Sequence, residues 1–160
     1  MGAVASETRY VAPFVPTPPR VLRELRRLVS YLLRDAHRHP VLYDCGCGNG
    51  VAAAALAEAA QGYTVCLELN ELRAYEALET VRRRRLDHLV DVVVGDVLSF
   101  KARRVDLAYA FLMPEPMDVL ADVLPAGTVL VSLDFPTTRL REVTSISVGV
   151  HTLFVYLKEG

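Results

Sequence analysis

An acidic residue followed by three glycines at every second position is the part of this chain best suited to chemistry: Asp44, Gly46, Gly48 and Gly50. An apolar run at positions 41–45 leads into the loop, and an alanine-rich helical pattern begins at Val51. Glycines at this spacing let a strand turn sharply into a helix and let a ligand contact bare backbone. The dinucleotide motif G-x-G-x-x-G places its third glycine one position later, inside the helix. The loop therefore predicts a ligand site that differs from a dinucleotide site.

Two more acidic side chains follow predicted strands further along the chain. Glu68 ends the second predicted strand, and a carboxylate at that point can accept two hydrogen bonds from a cis-diol. Asp96 follows Gly95 at the end of the third predicted strand, where it suits either a ligand contact or a helix cap. Ligands of doubly wound sheets bind at the carboxyl ends of the strands, where the glycine loop also lies.

The pattern D-x-G-x-G-x-G resembles the first motif of class I S-adenosylmethionine-dependent methyltransferases. The resemblance implies that the loop holds the methionine and ribose end of S-adenosylmethionine and that Glu68 binds both ribose hydroxyls. It implies that Asp96 contacts the adenine amino group, and that Asp44 fixes the loop and approaches the amino group of the cofactor. Phe111, at the end of the fourth predicted strand, suits either a cation–π contact with the sulfonium or ordinary core contacts.

Further segments resemble one family more narrowly: the small, archaeal, single-domain protein-lysine methyltransferases with seven strands and no SET domain. These segments are Phe14-Val15-Pro16-Thr17-Pro18, the D-x-G-C-G-x-G loop, the pair Glu68 and Asn70, and the ending His151-Thr152 before an aromatic strand. The resemblance implies methyl transfer to lysine side chains of protein substrates, with broad specificity. Asn49 departs from the family, in which an acidic residue is frequent at that position.

The same resemblance defines a set of expected site residues. The segment 1–19 is expected to cover the cofactor. Expected cofactor contacts are Pro16, Thr17, Asp44, Gly46, Cys47, Gly48, Gly50, Glu68, Asn70, Gly95, Asp96 and Phe111. Expected channel residues for the acceptor are Tyr10, Phe14, Leu112 and Met113.

A lysine acceptor must lose a proton before it can attack a methyl group. With a free pKa near 10.4, deprotonation at pH 7 costs about 4.6 kcal/mol. A desolvating channel lowers this cost, and a nearby carboxylate can take up the proton. Asp134, after the fifth predicted strand, and Glu115, after the fourth, are the candidate catalytic residues. Each also suits a solvated strand end or a first helical turn, so neither is assigned as the base.

Three other functions share the glycine loop. The first is a methyltransferase acting on small molecules or tetrapyrrole precursors, which usually needs additional cover over its substrate. The second is an RNA methyltransferase, which the basic run Arg82–Arg85 favours and the net charge of −1 disfavours. The third is a cofactor-binding domain without turnover. The residues Phe111–Pro114 do not form the Asn-Pro-Pro-Tyr type of tetrapeptide that grips planar amino groups.

Hydrophobic periodicity predicts an α/β fold for the whole chain as one domain, residues 1–160. A first helix begins at Thr17 as N-cap and extends to about Asp35. Five strands alternate with helices, and two final strands meet at Gly149 as a hairpin. We therefore expect a Rossmann-like, seven-stranded, mostly parallel sheet with an antiparallel terminal hairpin and helices on both faces.

Composition sets further expectations. Hydrophobic residues make up 52% of the chain, no apolar run reaches the length of a membrane helix, and no signal peptide is seen, so we expect a monomeric cytoplasmic protein with no membrane partner. Scarce amide side chains suggest a thermophilic source. Three cysteines lack metal-site spacing, so no metal is expected. Their odd number within the predicted core predicts buried thiols without a disulfide.

Overall fold

The computed structural model describes residues 14–36, 38–99 and 101–160, and within them the chain forms one seven-stranded sheet. The sheet order is β3-β2-β1-β4-β5-β7-β6. The strands are β1 (Val41–Cys45), β2 (Tyr63–Glu68), β3 (Val90–Val94), β4 (Leu107–Ala110), β5 (Val129–Leu133), β6 (Arg141–Val148) and β7 (His151–Leu157). Strands β1 to β5 pair in parallel, while β7 is antiparallel to β5 and to β6. This confirms the predicted fold class.

In the described residues four α-helices cover the sheet: α1 (Pro19–Leu32), α2 (Val51–Ala60), α3 (Glu71–Arg83) and α4 (Pro114–Val123). Helices α1, α2 and α3 share apolar clusters with one face of the sheet, and α4 packs on the other face. Every residue of α2 from Ala52 to Ala57 is buried, because α1 and α3 flank it on the sheet. Small residues allow this close approach. At Gly50, the N-cap of α2, even a Cβ would lie only 3.0 Å from the Ala77 Cα of α3.

Helix α1 begins one residue later than a cap at Thr17 would place it. Pro18 is the N-cap, without a side-chain hydrogen bond, and Pro19 occupies the first helical position. The Thr17 hydroxyl is instead 2.9 Å from the Tyr109 hydroxyl and is buried with it. The prediction that Thr17 caps α1 is therefore wrong, because its side chain is used in a tertiary hydrogen bond to β4.

The parallel strands bring their carboxyl ends to one edge of the sheet, which we call the site edge. Strand order reverses between β1 and β4, so the chain after β1 and the chain after β4 diverge on either side of a crevice at this edge. Because β7 is antiparallel to β5, its first residue, His151, also lies at the site edge. No helix in the described part of the chain is long and apolar enough to cross a membrane.

Cys47 and Cys66 form a disulfide, with their Cα atoms 5.3 Å apart, and Cys45 is a buried free thiol. The prediction that the cysteines form no disulfide is therefore wrong. The reason is the fold of the glycine loop. The amides of Gly46 and Cys47 both donate to the Leu67 carbonyl, at 2.8 and 3.0 Å, which places Cys47 beside β2. Two cysteines that are far apart in sequence thereby become neighbours.

We expect the disulfide to stabilise the fold, because closing a loop of this length constrains the unfolded chain by about 3 kcal/mol. Cys47→Ala should lower the free energy of unfolding in urea by about 2–4 kcal/mol, and a reductant should reproduce most of that loss in the unmodified chain. Alkylation after denaturation without reductant should label Cys45 alone. Three labelled cysteines would contradict the assignment.

Candidate active site

The glycine loop is tied to the end of β2 by both backbone and side chain. The Gly48 amide donates to Glu68 Oε1 at 2.8 Å, next to the two amides that bind the Leu67 carbonyl. Gly46 and Gly48 have φ values of +81° and +54°, a conformation that side chains disfavour. The loop therefore exposes its backbone at the site edge while its other side is fixed to β2.

Glu68 is held in a defined orientation. Its Oε2 accepts a hydrogen bond from the backbone amide of Asn70 at 2.8 Å, while its Oε1 accepts from the backbone amide of Gly48 in the glycine loop. Each carboxylate oxygen has a further lone pair, so both can still accept from a ligand diol. The Asn70 side chain caps α3 by accepting from the Arg73 amide at 3.2 Å. The structure thus accounts for Asn70 as a helix cap, and its predicted cofactor contact stays a prediction.

Asp44 is a buried carboxyl group with one unsatisfied oxygen. It is 2% exposed, and its Oδ2 has no hydrogen-bond partner among the described residues. The pKa of Asp44 is raised from 3.8 to about 8, chiefly by burial and further by the charge of Glu68, while a hydrogen bond from the Ala53 backbone opposes both effects. A cation placed beside this carboxyl group would stabilise its ionised form. The predicted role of Asp44, next to an ammonium group, fits this environment.

Two of the predicted channel residues cover the glycine loop. A Cβ on Gly48 would overlap the Phe14 ring, and a Cβ on Gly46 would lie 3.1 Å from Leu112 Cδ2. The Arg73 guanidinium lies over the Phe14 ring, 4.4 Å from its centroid. Two other site residues, Pro16 and Met113, are exposed. Tyr10 and most of the segment 1–19 lie outside the described residues.

The remaining predicted cofactor residues also reach the site edge. Gly95 donates its amide to the Glu68 carbonyl at 3.0 Å, which joins the end of β3 to that of β2. Asp96 Oδ1 accepts from the Leu98 amide at 2.9 Å and so caps the short 3₁₀ helix Val97–Ser99. Phe111 stacks on Phe135, with ring centroids 6.1 Å apart. Their contacts with a cofactor stay predictions.

The two candidate catalytic carboxylates have different surroundings. Glu115 is exposed in the first turn of α4. Asp134 has φ +65° and is about one-quarter exposed; its Oδ2 lies 2.7 Å from His151 Nδ1, and its Oδ1 accepts from the Thr152 amide at 2.9 Å. Both Asp134 oxygens are thus engaged. The sequence had marked His151 only as part of a family-like ending, and nothing local in it indicated a partner.

Tyr109 is a second site residue that the sequence did not indicate, because a tyrosine within an apolar strand can equally be an ordinary core residue. It is 1% exposed, and burial raises the pKa of its phenol well above the usual range. The carboxylates of Asp44 and Asp134 raise that pKa further, while the hydrogen bond with Thr17 opposes the shift. Tyr109 therefore lies within electrostatic reach of both carboxylates and stays a neutral hydroxyl.

Comparison with known proteins identifies the family of this chain. A family model described as a methyltransferase domain matches residues 43–126, slightly more than half of the chain. The structure is similar to an RNA methyltransferase from Salinibacter ruber bound to S-adenosyl-L-homocysteine, with a TM-score of 0.77 and 22% identity over 91% of this chain and 94% of that one. None of the curated proteins matches the chain.

Two further structures share the fold. One is a putative RNA methyltransferase from Pyrococcus horikoshii, with a TM-score of 0.71 and 17% identity over 94% of this chain and 92% of that one. The other is a methyltransferase from Geobacter sulfurreducens, with a TM-score of 0.70 and 16% identity over 98% and 86%. The chain therefore belongs to the methyltransferase-domain family. It is an S-adenosylmethionine-dependent methyltransferase with the Rossmann-like class I fold.

The residues at the site edge fit this cofactor. The unsatisfied Asp44 oxygen suits the ammonium group of the methionine portion, and the oriented Glu68 carboxylate suits the ribose diol. The absence of a side chain at Gly48 lets the Phe14 ring lie against the glycine loop. In the described residues, no group of three histidine, cysteine or acidic side chains could hold a metal ion.

We expect cofactor binding to release a proton from Asp44. At pH 7 a carboxyl group with a pKa of about 8 is mostly protonated, and an adjacent ammonium favours the ionised form. Calorimetric binding enthalpies at pH 7 should therefore differ between phosphate and Tris buffers. In Asp44→Asn the difference should vanish and the affinity should fall. Equal enthalpies in both buffers for the unmodified protein would contradict this expectation.

The same raised pKa predicts how the stability of the cofactor-free protein depends on pH. A folded-state pKa of about 8 lies above the ordinary value of 3.8, so the protonated carboxyl favours the folded state. This contribution is fully present below about pH 4 and is lost as pH rises through about 8. Asp44→Asn should remove the decline in chemical-denaturation curves between those values. A decline of equal size in the variant would assign it to other groups.

We expect Glu68 to carry much of the cofactor affinity, because hydrogen bonds to a charged group contribute about 1.5–3 kcal/mol each. Glu68→Gln should raise the dissociation constant for S-adenosylmethionine by about 10- to 100-fold in calorimetry. Glu71→Gln, at the exposed first residue of α3, is the matched control and should leave the constant unchanged. An unaltered affinity in Glu68→Gln would remove Glu68 from the ribose site.

Proposed function

We propose that this protein transfers a methyl group from S-adenosylmethionine to the side-chain amine of lysine in protein substrates, with broad specificity. When bound, the cofactor supplies a methyl group activated by the sulfonium. The protein's own contribution is to hold the acceptor in line, exclude water and provide a place for the acceptor's proton.

The observation that supports a protein acceptor is the openness of the site edge. Only residues 111–113 connect β4 to α4, only residues 134–140 connect β5 to β6, and a two-residue turn connects β6 to β7. None of these connections is long enough to form a lid that would enclose a small molecule. The rim carries exposed apolar side chains, including Val15 and Met113, which suit the stem of a protruding lysine.

The side chains after β4 also favour an aliphatic amine over a planar amino group as the methyl acceptor. Phe111 stacks on Phe135, Leu112 covers Gly46, and Met113 precedes α4. No amide side chain lies among these residues to accept hydrogen bonds from a nucleobase or glutamine amino group. An aliphatic channel beside Leu112 and Phe14 would lower the pKa of a lysine ammonium by desolvation.

One observation favours a second candidate, an RNA acceptor. A groove of about 300 Å³ is lined by residues 147–149 at the end of β6 and by four charged side chains of α1, of which three are basic: Arg20, Arg23, Arg27 and Glu24. Two similar structures carry RNA methyltransferase names. The basic run Arg82–Arg85, in contrast, lies at the end of α3 away from the site edge, and Arg84 pairs with Glu58 at 3.0 Å. That run cannot guide RNA to the glycine loop.

We also propose the setting of this activity: a monomer acting in the cytoplasm of a thermophilic archaeon. The scarcity of asparagine and glutamine supports a thermophilic source, as does a disulfide inside the core, which is common in intracellular proteins of hyperthermophiles. The resemblance of the Val15–Pro18 segment and the His151-Thr152 ending to the archaeal lysine methyltransferases supports the rest.

The test is transfer of labelled methyl from S-adenosylmethionine to a cell extract, with amino-acid analysis after acid hydrolysis. We expect label in methylated lysine from several proteins, insensitive to ribonuclease and removed by protease. Glu68→Ala should abolish the signal, and Glu71→Gln should retain it. Label confined to RNA would establish the second candidate, and label in small molecules would overturn both.

A further inference from the structure

We propose that His151, oriented by Asp134, accepts the proton that the lysine ammonium loses before methyl transfer. This inference rests on the proposed function and deepens it by naming the base. It replaces the expectation that Asp134 or Glu115 itself takes up the proton.

The backbone at Asp134 is strained. Its φ of +65° is unusual for a residue with a side chain, and the Phe135 amide donates to the Leu133 carbonyl at 2.8 Å across it. Such a three-residue turn with positive φ at its centre is rare. The Ser132 hydroxyl, which donates to the Phe135 carbonyl, supports the turn. Strain of this kind persists where surrounding contacts enforce it and is concentrated at functional sites.

The strained turn directs the Asp134 carboxylate at the start of β7. Oδ1 accepts from the Thr152 amide at 2.9 Å, and the Asp134 amide donates to the Thr152 carbonyl at 2.8 Å. Oδ2 lies 2.7 Å from His151 Nδ1. Because an ionised carboxylate only accepts, Nδ1 carries the hydrogen. The other nitrogen, Nε2, is then the basic atom, as in other pairs in which a carboxylate orients an imidazole.

The pair lies at the site edge, beside the end of β4 where the predicted channel residues follow. Phe135 follows Asp134 and stacks on Phe111, which leads from β4 into the rim of the site. Asp134 acts electrostatically on Tyr109, as does Asp44 on the cofactor side. The pair is therefore next to the β4 end that leads through Phe111 to Leu112.

Few other charged groups face the imidazole. From α1, Arg20 approaches the turn between β6 and β7, with its Nη1 3.4 Å from the Cβ position of Gly149. From β4, Tyr109 faces Asp134 as a neutral phenol. His151 itself is 29% exposed, which leaves a route for the proton to solvent.

The step balances as follows. The ammonium N–H bond breaks and its proton moves to His151 Nε2, which leaves a lone pair on the lysine nitrogen. That lone pair forms the N–CH₃ bond as the S–CH₃ bond breaks, with its electron pair remaining on sulfur. The products are a methylated ammonium and neutral S-adenosylhomocysteine. The imidazolium, stabilised by the Asp134 carboxylate, returns its proton to solvent.

The decisive variant is His151→Asn, because the asparagine amide can still donate to Asp134 Oδ2 while no atom replaces Nε2. We expect the rate of methyl-lysine formation in an RNA-depleted extract to fall about 100-fold at pH 7. The dissociation constant for S-adenosylmethionine, measured by calorimetry, and the thermal midpoint should stay unchanged. The deficit should shrink as pH rises, because more lysine is then already deprotonated in solvent.

His88→Asn, at an exposed position before β3, is the matched control and should retain the full rate. If His151→Asn destabilises the fold, Asp134→Asn gives the second test: a lower maximal rate with unchanged cofactor affinity. A His151→Asn rate equal to that of the unmodified protein would overturn the proposal. Absence of methyl-lysine from the unmodified protein would instead overturn the proposed function, so the two failures are distinguishable.

Discussion

The attachment of the glycine loop to the end of β2 is the constraint on which the site depends. Three kinds of contact form it: amides of Gly46 and Cys47 on the Leu67 carbonyl, the Gly48 amide on Glu68, and the Cys47–Cys66 disulfide. A loop with successive positive φ values has many alternative conformations. These contacts select one of them, and they orient the Glu68 carboxylate at the same time. Cofactor recognition and loop order therefore rest on the same few atoms.

Tyr109 links the glycine-loop side of the site, which carries Asp44, with the side that carries Asp134. The Tyr109 hydroxyl is hydrogen-bonded to Thr17, in the segment that leads from Phe14 into α1. The charges of Asp44 and Asp134 raise the pKa of the Tyr109 phenol. A buried hydroxyl between two carboxylates would be costly as a phenolate, and its raised pKa keeps it neutral. Tyr109 thus adds no charge of its own beside Asp134, or beside Asp44 when a cation favours the ionised form of that carboxyl.

Most of the fold could be predicted from the sequence, because local periodicity and turn residues determine it. Strand β1 has the bounds of the apolar run 41–45, helix α2 begins at Val51 as predicted, and the hairpin around Gly149 appears where two β-type runs meet. The β-type run at positions 105–112 predicts a longer fourth strand than the observed β4: Asp106, within that run, accepts from the Val41 backbone amide and precedes Leu107, where β4 begins. Apolar runs do not indicate where ladder pairing ends.

The errors in the site share one physical origin, which is that they depend on long-range contacts. Cys47 and Cys66 become neighbours only through the register of β1 and β2 and the fold of the loop between them. Thr17 resembles a helix cap until the distant Tyr109 is placed beside it. The His151–Asp134 pair likewise requires β7 to run antiparallel to β5. Side-chain type and spacing contain no information about such approaches.

Asp44 and Asp134 show that two carboxylates at the same site edge can suit two different functions. Asp44 is fully enclosed and lacks a partner for one oxygen, so its charge is favourable only when a cation is present. Asp134 is partly solvated, and both its oxygens have partners in β7 without a ligand. The first environment suits a group that recognises the cofactor's ammonium on binding. The second suits a group that keeps an imidazole oriented through every turnover, and this difference is why the base is inferred to lie beside Asp134 rather than Asp44.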